Sequence, residues 1–431
     1  MSRAEAARAR RPTPGGRGSA EAPPFRLPGQ HFAAGLVFLV AGAAGLVWRA
    51  ETLAAGAISD PGLLATAHLF TLGWIGTSIM GALYQFLPVA LGSGIRWEGV
   101  THLTFGLWTA GVAVFVVGLA TTSAVFLLAG AGLLGAAILL FAANLAVTLP
   151  GTERRGLTWW CVAGSTLALL GAWLLGALLS VNLTGGLLGG SRFSVLAIHV
   201  HVAAGGWVLL TMVGVAHHLM PMFLLSHGAG TRLGKTAAVL LGAGTAGLLL
   251  TGHGLPTAAL PYPLGLLAAG TGAFLLQASR HYRRRRRPRI DPGMRLVAGA
   301  LILLALALAA GLAVLLSSAA DPSLLTAYGV LLVPGGLGLF VAGHYYKIVP
   351  FLTWFHRFGP VASEREVPSV AELFDHRAAR AAGTLLIGGV IVMCAGILSG
   401  GVALCLAGAI AFAAGAVLES LQMLLIARQR P

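Results

Sequence analysis

From residue 31 to residue 427 the chain is a succession of apolar runs, each about 20 residues or longer, the length that crosses the hydrocarbon core of a bilayer. Only 10% of its 431 residues are charged and 57% are hydrophobic, whereas soluble domains carry roughly 25% charged residues. A backbone immersed in lipid must satisfy its own hydrogen bonds, which leaves helices or closed barrels. The runs are rich in Leu, Ala and Gly and lack period-two alternation, so helices are selected over a barrel. The expected fold is an all-α membrane protein with twelve transmembrane spans. They lie near 31–50, 62–91, 100–120, 123–148, 157–182, 193–224, 234–252, 258–280, 294–317, 324–352, 379–398 and 401–427.

The net charge of +15 sits in the tail and the loops, not on one face of a soluble fold, which argues against a nucleic-acid partner. Loops on one side carry Arg96, Arg154, Arg155, Arg232, Lys235, Arg280, the arginines from Arg283 to Arg287, Arg357, Arg365, Arg377 and Arg380. Loops on the other side are short and mostly neutral, with Arg49 and Arg192 as exceptions. This alternation predicts twelve spans with both termini in the cytoplasm. Residues 1–30 read as a disordered basic cytoplasmic tail, and 31–431 as one membrane domain. Ser369 and Glu372 form an S-x-x-E capping box, which predicts a short interfacial helix before the eleventh span. Cys161, Cys394 and Cys405 lie in separate runs without C-x-x-C spacing and read as packing residues.

An internal repeat organises the spans. The second has His68, Gly73, Trp74, Gly81, Tyr84 and Pro88; the sixth has His201, Gly206, Trp207, Gly214, His217 and Pro221 at the same offsets. The tenth keeps Gly335, Gly343, Tyr346 and Pro350 in register, with Val330 where the histidine would stand. Three quartets of helices follow, about 31–150, 157–280 and 294–427. The shared glycines have a packing explanation, since membrane helices approach through small residues. The histidines point to metal or haem ligation; hydrogen bonding to a neighbouring helix is the structural alternative.

Twelve helices in three quartets, with a histidine near the outer end of helix two, resemble the catalytic subunit of the haem–copper oxidase superfamily. The outline is also similar to NnrS-type haem and copper membrane proteins of the nitric oxide response. The resemblance implies that His68 ligates a haem. The chain departs from the family's pattern elsewhere: span ten has only His344, and span seven has only His253 in place of a His-His pair. These absences argue against orthodox oxygen or nitric oxide reduction. No intramembrane carboxylate offers an obvious proton path either, Glu419 lying near the inner end of span twelve.

His199 and His201 are two residues apart and point roughly 200° apart around a helix. They therefore serve two neighbouring sites. The expected arrangement pairs His68 with His201 as axial ligands of one haem, in a groove lined by glycine. His199 begins a second site, where a copper ion would be held by His199, His253 and a third ligand. Near the cytoplasmic face, His217, His218, Met220 and Met222 gather with His344, Tyr345, Tyr346 and Lys347. Snorkelling interfacial residues and a quinol pocket or soft copper site both fit that group, and Tyr84 occupies the equivalent place in the first repeat. His31, His102, His227, His281, His356 and His376 read as solvated residues at span ends and in loops.

The functional expectation is a haem-binding protein of the bacterial inner membrane, related to the oxidases but without their full catalytic ligand set. It would transfer electrons or handle a small gas such as nitric oxide, with cytochrome c or quinol as donor and with room for a partner subunit. A membrane transporter and a copper or haem delivery and assembly protein are the rival readings.

Overall fold

The computed structural model describes residues 24–92, 94–226, 228–252, 257–317 and 321–431. The long helices, in order, are α1 (Arg26–Trp48), α2 (Pro61–Leu91), α3 (Glu98–Thr121), α4 (Ala124–Thr148), α5 (Leu157–Gly185) and α6 (Gly189–Leu224). They continue with α7 (Arg232–Gly252), α8 (Pro261–Arg283), α9 (Pro292–Leu316), α10 (Pro322–Val361), α11 (His376–Ser399) and α12 (Val402–Arg428). No strand occurs among the described residues. Eleven of these helices are long and apolar enough to cross a membrane. The exception is α8, at the eighth expected span: it has 23 residues, but its last turn holds Arg280, His281 and Arg283. Large apolar side chains point outward along the helices, among them Val37, Leu167, Leu250, Ile302 and Leu425. Apolar cover of that extent belongs in contact with lipid.

Local chemistry sets the helix ends. Asp60-Pro61, Asp291-Pro292 and Asp321-Pro322 open α2, α9 and α10. Each carboxylate accepts a hydrogen bond from a free first-turn N–H, and each proline occupies a position whose N–H needs no partner. Gly400 closes α11 in the left-handed conformation, φ 68°. The expected capping box is present: Ser369 and Glu372 bond reciprocally at the start of a 3₁₀ turn, Val370–Leu373. The N-terminal boundary moves, however. The first helix begins at Arg26, so 26–30 belong to the bundle; residues 1–23 of the expected tail lie outside the described residues.

The repeat has a backbone counterpart in all three copies. A π-helical segment runs from Leu69 to Gly76 in α2, from Val202 to Leu209 in α6 and from Leu331 to Gly338 in α10. Each begins one residue after His68, His201 or Val330. Each is followed by a 15-residue α-helix containing Pro88, Pro221 or Pro350. Those prolines leave the carbonyls of Tyr84, His217 and Tyr346, four residues earlier, without their usual N–H donor.

The matched glycines face neighbouring helices. A Cβ on Gly81 would run into His31 of α1, one on Gly214 would lie 2.6 Å from Cys161 Cβ of α5, and one on Gly343 would lie 2.6 Å from the Gly293 carbonyl of α9. These glycines serve close helix approach, which corrects the expectation that they line a cofactor groove. Further extensive packings join α3 to α4, α7 to α8 and α11 to α12, and α12 returns to lie on α1. The π segment of α10 touches those of both α2 and α6, so the irregular stretches converge.

Candidate functional site

His68 ends the first straight part of α2, roughly 10 Å from the helix start at 1.5 Å per residue. Its Nδ1 lies 2.8 Å from the Leu64 carbonyl. His199, on α6, places Nδ1 3.0 Å from the Ala172 carbonyl of α5. A carbonyl oxygen only accepts, so both Nδ1 atoms carry the proton, and each neutral ring keeps an Nε2 lone pair. No hydrogen-bond partner meets either Nε2 among the described residues. The two rings are inclined by 23° with centroids 6.5 Å apart. A metal-bound imidazole nitrogen sits about 2 Å from the ion, so two rings on opposite sides of one ion have centroids roughly 6 Å apart. The separation is close to that of two imidazoles sharing one ion, and the carbonyl bonds fix the orientation of both rings and raise their basicity.

The surroundings fit such a pair. Phe115 of α3 lies edge-on to His68, centroids 5.3 Å apart. Gly176 of α5 lets the His199 ring pack against that helix: a Cβ there would sit 3.0 Å from His199 Cε1. Both histidines are half-buried in an otherwise apolar part of the bundle.

His201 has a different partner. Its Nδ1 donates to the Ala197 carbonyl at 2.8 Å, so Nε2 accepts from the Tyr328 hydroxyl at 3.1 Å. The two rings stack at 17° beside a cavity of about 230 Å³ bounded by α6, α8, α9 and α10. The expected pairing of His68 with His201 is thus replaced. Because His199 and His201 project from opposite sides of α6, the side nearer α2 presents His199 and the side nearer α10 presents His201. Tyr328 was not singled out from sequence. A signal was available, since Thr66, His199 and Tyr328 all stand two residues before the repeat's first position.

The expected copper triad is not assembled among the described residues: His253 lies outside them, and no group of three or more His, Cys, Asp or Glu converges there. His217 and His218 are adjacent, with ring centroids 5.4 Å apart. Thr158 donates to the Gly214 carbonyl and accepts from His218 Nδ1 at 2.9 Å. Met220 is buried while Met222 is 53% exposed, so the two thioethers do not share a side. Lys347 pairs with Asp291 at 2.5 Å and lies over the Phe223 ring. His344 is buried, donates Nδ1–H to the Phe340 carbonyl and has no partner at Nε2. Tyr346 bonds Gln422, and Tyr84 is enclosed by His31 and Phe141. His31 and His281, expected to be solvated, are buried at 1% and 4% exposure; His31 bonds the Leu27 carbonyl and His281 bonds Ser226 and Gln277.

No protein-family model matches the chain and no curated protein is significantly similar to it, so its functional reading rests on the residues themselves.

Proposed function

We propose that this protein is a haem-binding membrane protein of the oxidase subunit I type, in which His68 and His199 would hold the haem. The observation that carries this reading is the near-parallel pair of imidazoles at 6.5 Å, each with Nδ1 engaged by a carbonyl and Nε2 free. A haem held by these two imidazoles would supply one-electron transfer or small-gas binding. The chain's own part is to hold both rings as neutral ligands, to seat the His199 ring against Gly176 and to keep water away with apolar neighbours such as Phe115. Quinol or cytochrome c is the proposed electron donor. The exposed apolar faces of the helices leave room for a partner subunit.

The same reading takes α8 as a twelfth crossing and groups the helices in three quartets. It is supported by the threefold recurrence of π segment and proline and by the matching helix pairs. The bacterial inner membrane, with both termini cytoplasmic, is supported by the arginines near the C-terminal ends of α2, α4, α6, α8, α10 and α12.

A single copper ion, which the same two imidazoles would hold, is the second reading, favoured by the pairing of two neutral imidazoles 6.5 Å apart. It corresponds to a delivery or assembly protein. Purified protein, oxidised and then reduced, should show haem bands that are lost or converted in both His68→Ala and His199→Ala. Unchanged bands in both variants exclude the haem assignment; copper at one ion per chain without haem supports the second reading.

A further inference from the structure

Glu419 sits on α12, nine residues before Arg428 and so roughly 13 Å from the end of that helix. It is wholly buried, and neither carboxyl oxygen has a hydrogen-bond partner. The ion pairs found among the described residues, Arg49 with Asp60 and Lys347 with Asp291, do not include it. An ionised, unpaired carboxylate is strongly disfavoured in such a place, so the group rests as the neutral acid.

Gln422, three residues further along the same face of α12, meets Tyr346 of α10, and Tyr345 precedes Tyr346 in that helix; each tyrosine leads somewhere. Toward the centre, Ser78 donates to the Trp74 carbonyl in the π segment of α2, and therefore accepts from Tyr345 at 2.5 Å. Tyr345 Oη keeps its lone pairs for another donor. Gly35 of α1 seats against this group, since a Cβ there would lie 2.8 Å from Ser78 Oγ. Toward the end of the bundle, Tyr346 Oη is 3.1 Å from the Gln422 amide. In the amide orientation that satisfies every neighbour, Tyr346 donates to Gln422 and Gln422 donates to the Asp375 carbonyl at 3.2 Å. Asp375 caps α11 beside the exposed His376. Tyr345 and Tyr346 are the titratable groups that α10 brings near Glu419, and no charged side chain bears on it from α1 or α11.

We propose that Glu419 is a reversible proton-binding site inside the bundle, exchanging its proton with the face at Asp375 by way of Tyr346 and Gln422. The exchange is a proton transfer alone: the O–H bond of the acid breaks, each group on the route releases one proton as it takes one, and bulk water at the Asp375 face is the final acceptor, leaving the carboxylate at Glu419 until the reverse transfer restores the acid. Nothing in this depends on haem, so it stands or falls independently of the reading above.

Infrared difference spectroscopy on the full chain in lipid tests it. The wild type should show a carboxylic acid C=O band that shifts in D₂O and is absent in Glu419→Gln, which is isosteric and neutral. Tyr346→Phe should retain the band and slow its shift by on the order of a hundredfold, the scale of a positioned proton-transfer group. Glu419→Asp should restore a displaced band. A spectrum identical in wild type and Glu419→Gln overturns the protonated site. A band that does not shift in D₂O overturns its exchange, and an unchanged rate in Tyr346→Phe overturns the route.

Discussion

Gly293 of α9 and Gly343 of α10 press together so closely that a Cβ on either would lie 2.6 Å from the other's carbonyl oxygen. The same crossing is made by Gly81 on α1 and by Gly214 on α5. In lipid no hydrophobic force drives helices together, so close backbone approach and dispersion must hold them. Gly343→Leu should therefore lower stability by about 1–3 kcal/mol or more through overpacking. Gly265→Ala on α8, where a Cβ meets nothing within 4 Å, should be neutral or stabilising. Thermal unfolding in detergent compares the two; equal melting temperatures would contradict the packing role.

His199→Gly opens space beside Gly176 without disturbing the Leu64 bond that orients His68. Added imidazole should restore the six-coordinate spectrum in this variant. His201→Gln, on the other side of α6, should leave the wild-type bands in place. Loss of the bands in His201→Gln alone would return the ligand role to His201.

Tyr328→Phe removes the hydroxyl that His201 Nε2 accepts. Interhelical hydrogen bonds in membranes are worth about 0.6–2 kcal/mol, and a loss of that order is expected on denaturant titration. Stability equal to wild type would mean that the bond contributes nothing between α6 and α10.

Lys347 and Asp291 are 14% and 19% exposed at their side chains. Lys347→Met leaves the carboxylate poorly solvated and should cost about 1–3 kcal/mol, less than for a fully buried pair. Lys347→Met with Asp291→Asn should recover most of it, because Asn still accepts the Met294 N–H that starts α9. A double-mutant cycle measures the coupling, and additive losses would show none.

Reporter fusions check the orientation. A fusion after Pro431 is expected to be active in the cytoplasm, and one inserted near Arg192 only on the opposite side. The reverse pattern would invert the bundle.

Helix positions, membrane character and the repeated motif were legible in the linear sequence because they depend on local chemistry. Lipid demands long apolar helices; Asp-Pro opens a helix wherever it stands; glycine and proline recur at fixed offsets because the helix period is fixed. The capping box at Ser369 and Glu372 was read correctly for the same reason. Burial was harder to read. His31 looks like a residue at the edge of a span, but α1 starts at Arg26 and carries it inside.

Partnership between histidines was decided by the tertiary structure. The two-residue offset of His199 and His201 shows that they face apart. It does not say which faces α2, because that depends on how α6 rotates after a π segment that no residue pattern announces. Packing settled it: His199 went to His68 and His201 to Tyr328, a tyrosine inconspicuous in the sequence. Glu419 likewise reads as a helix-end carboxylate until the helices packed on α12 close over it, since enclosure is a property of the assembled bundle.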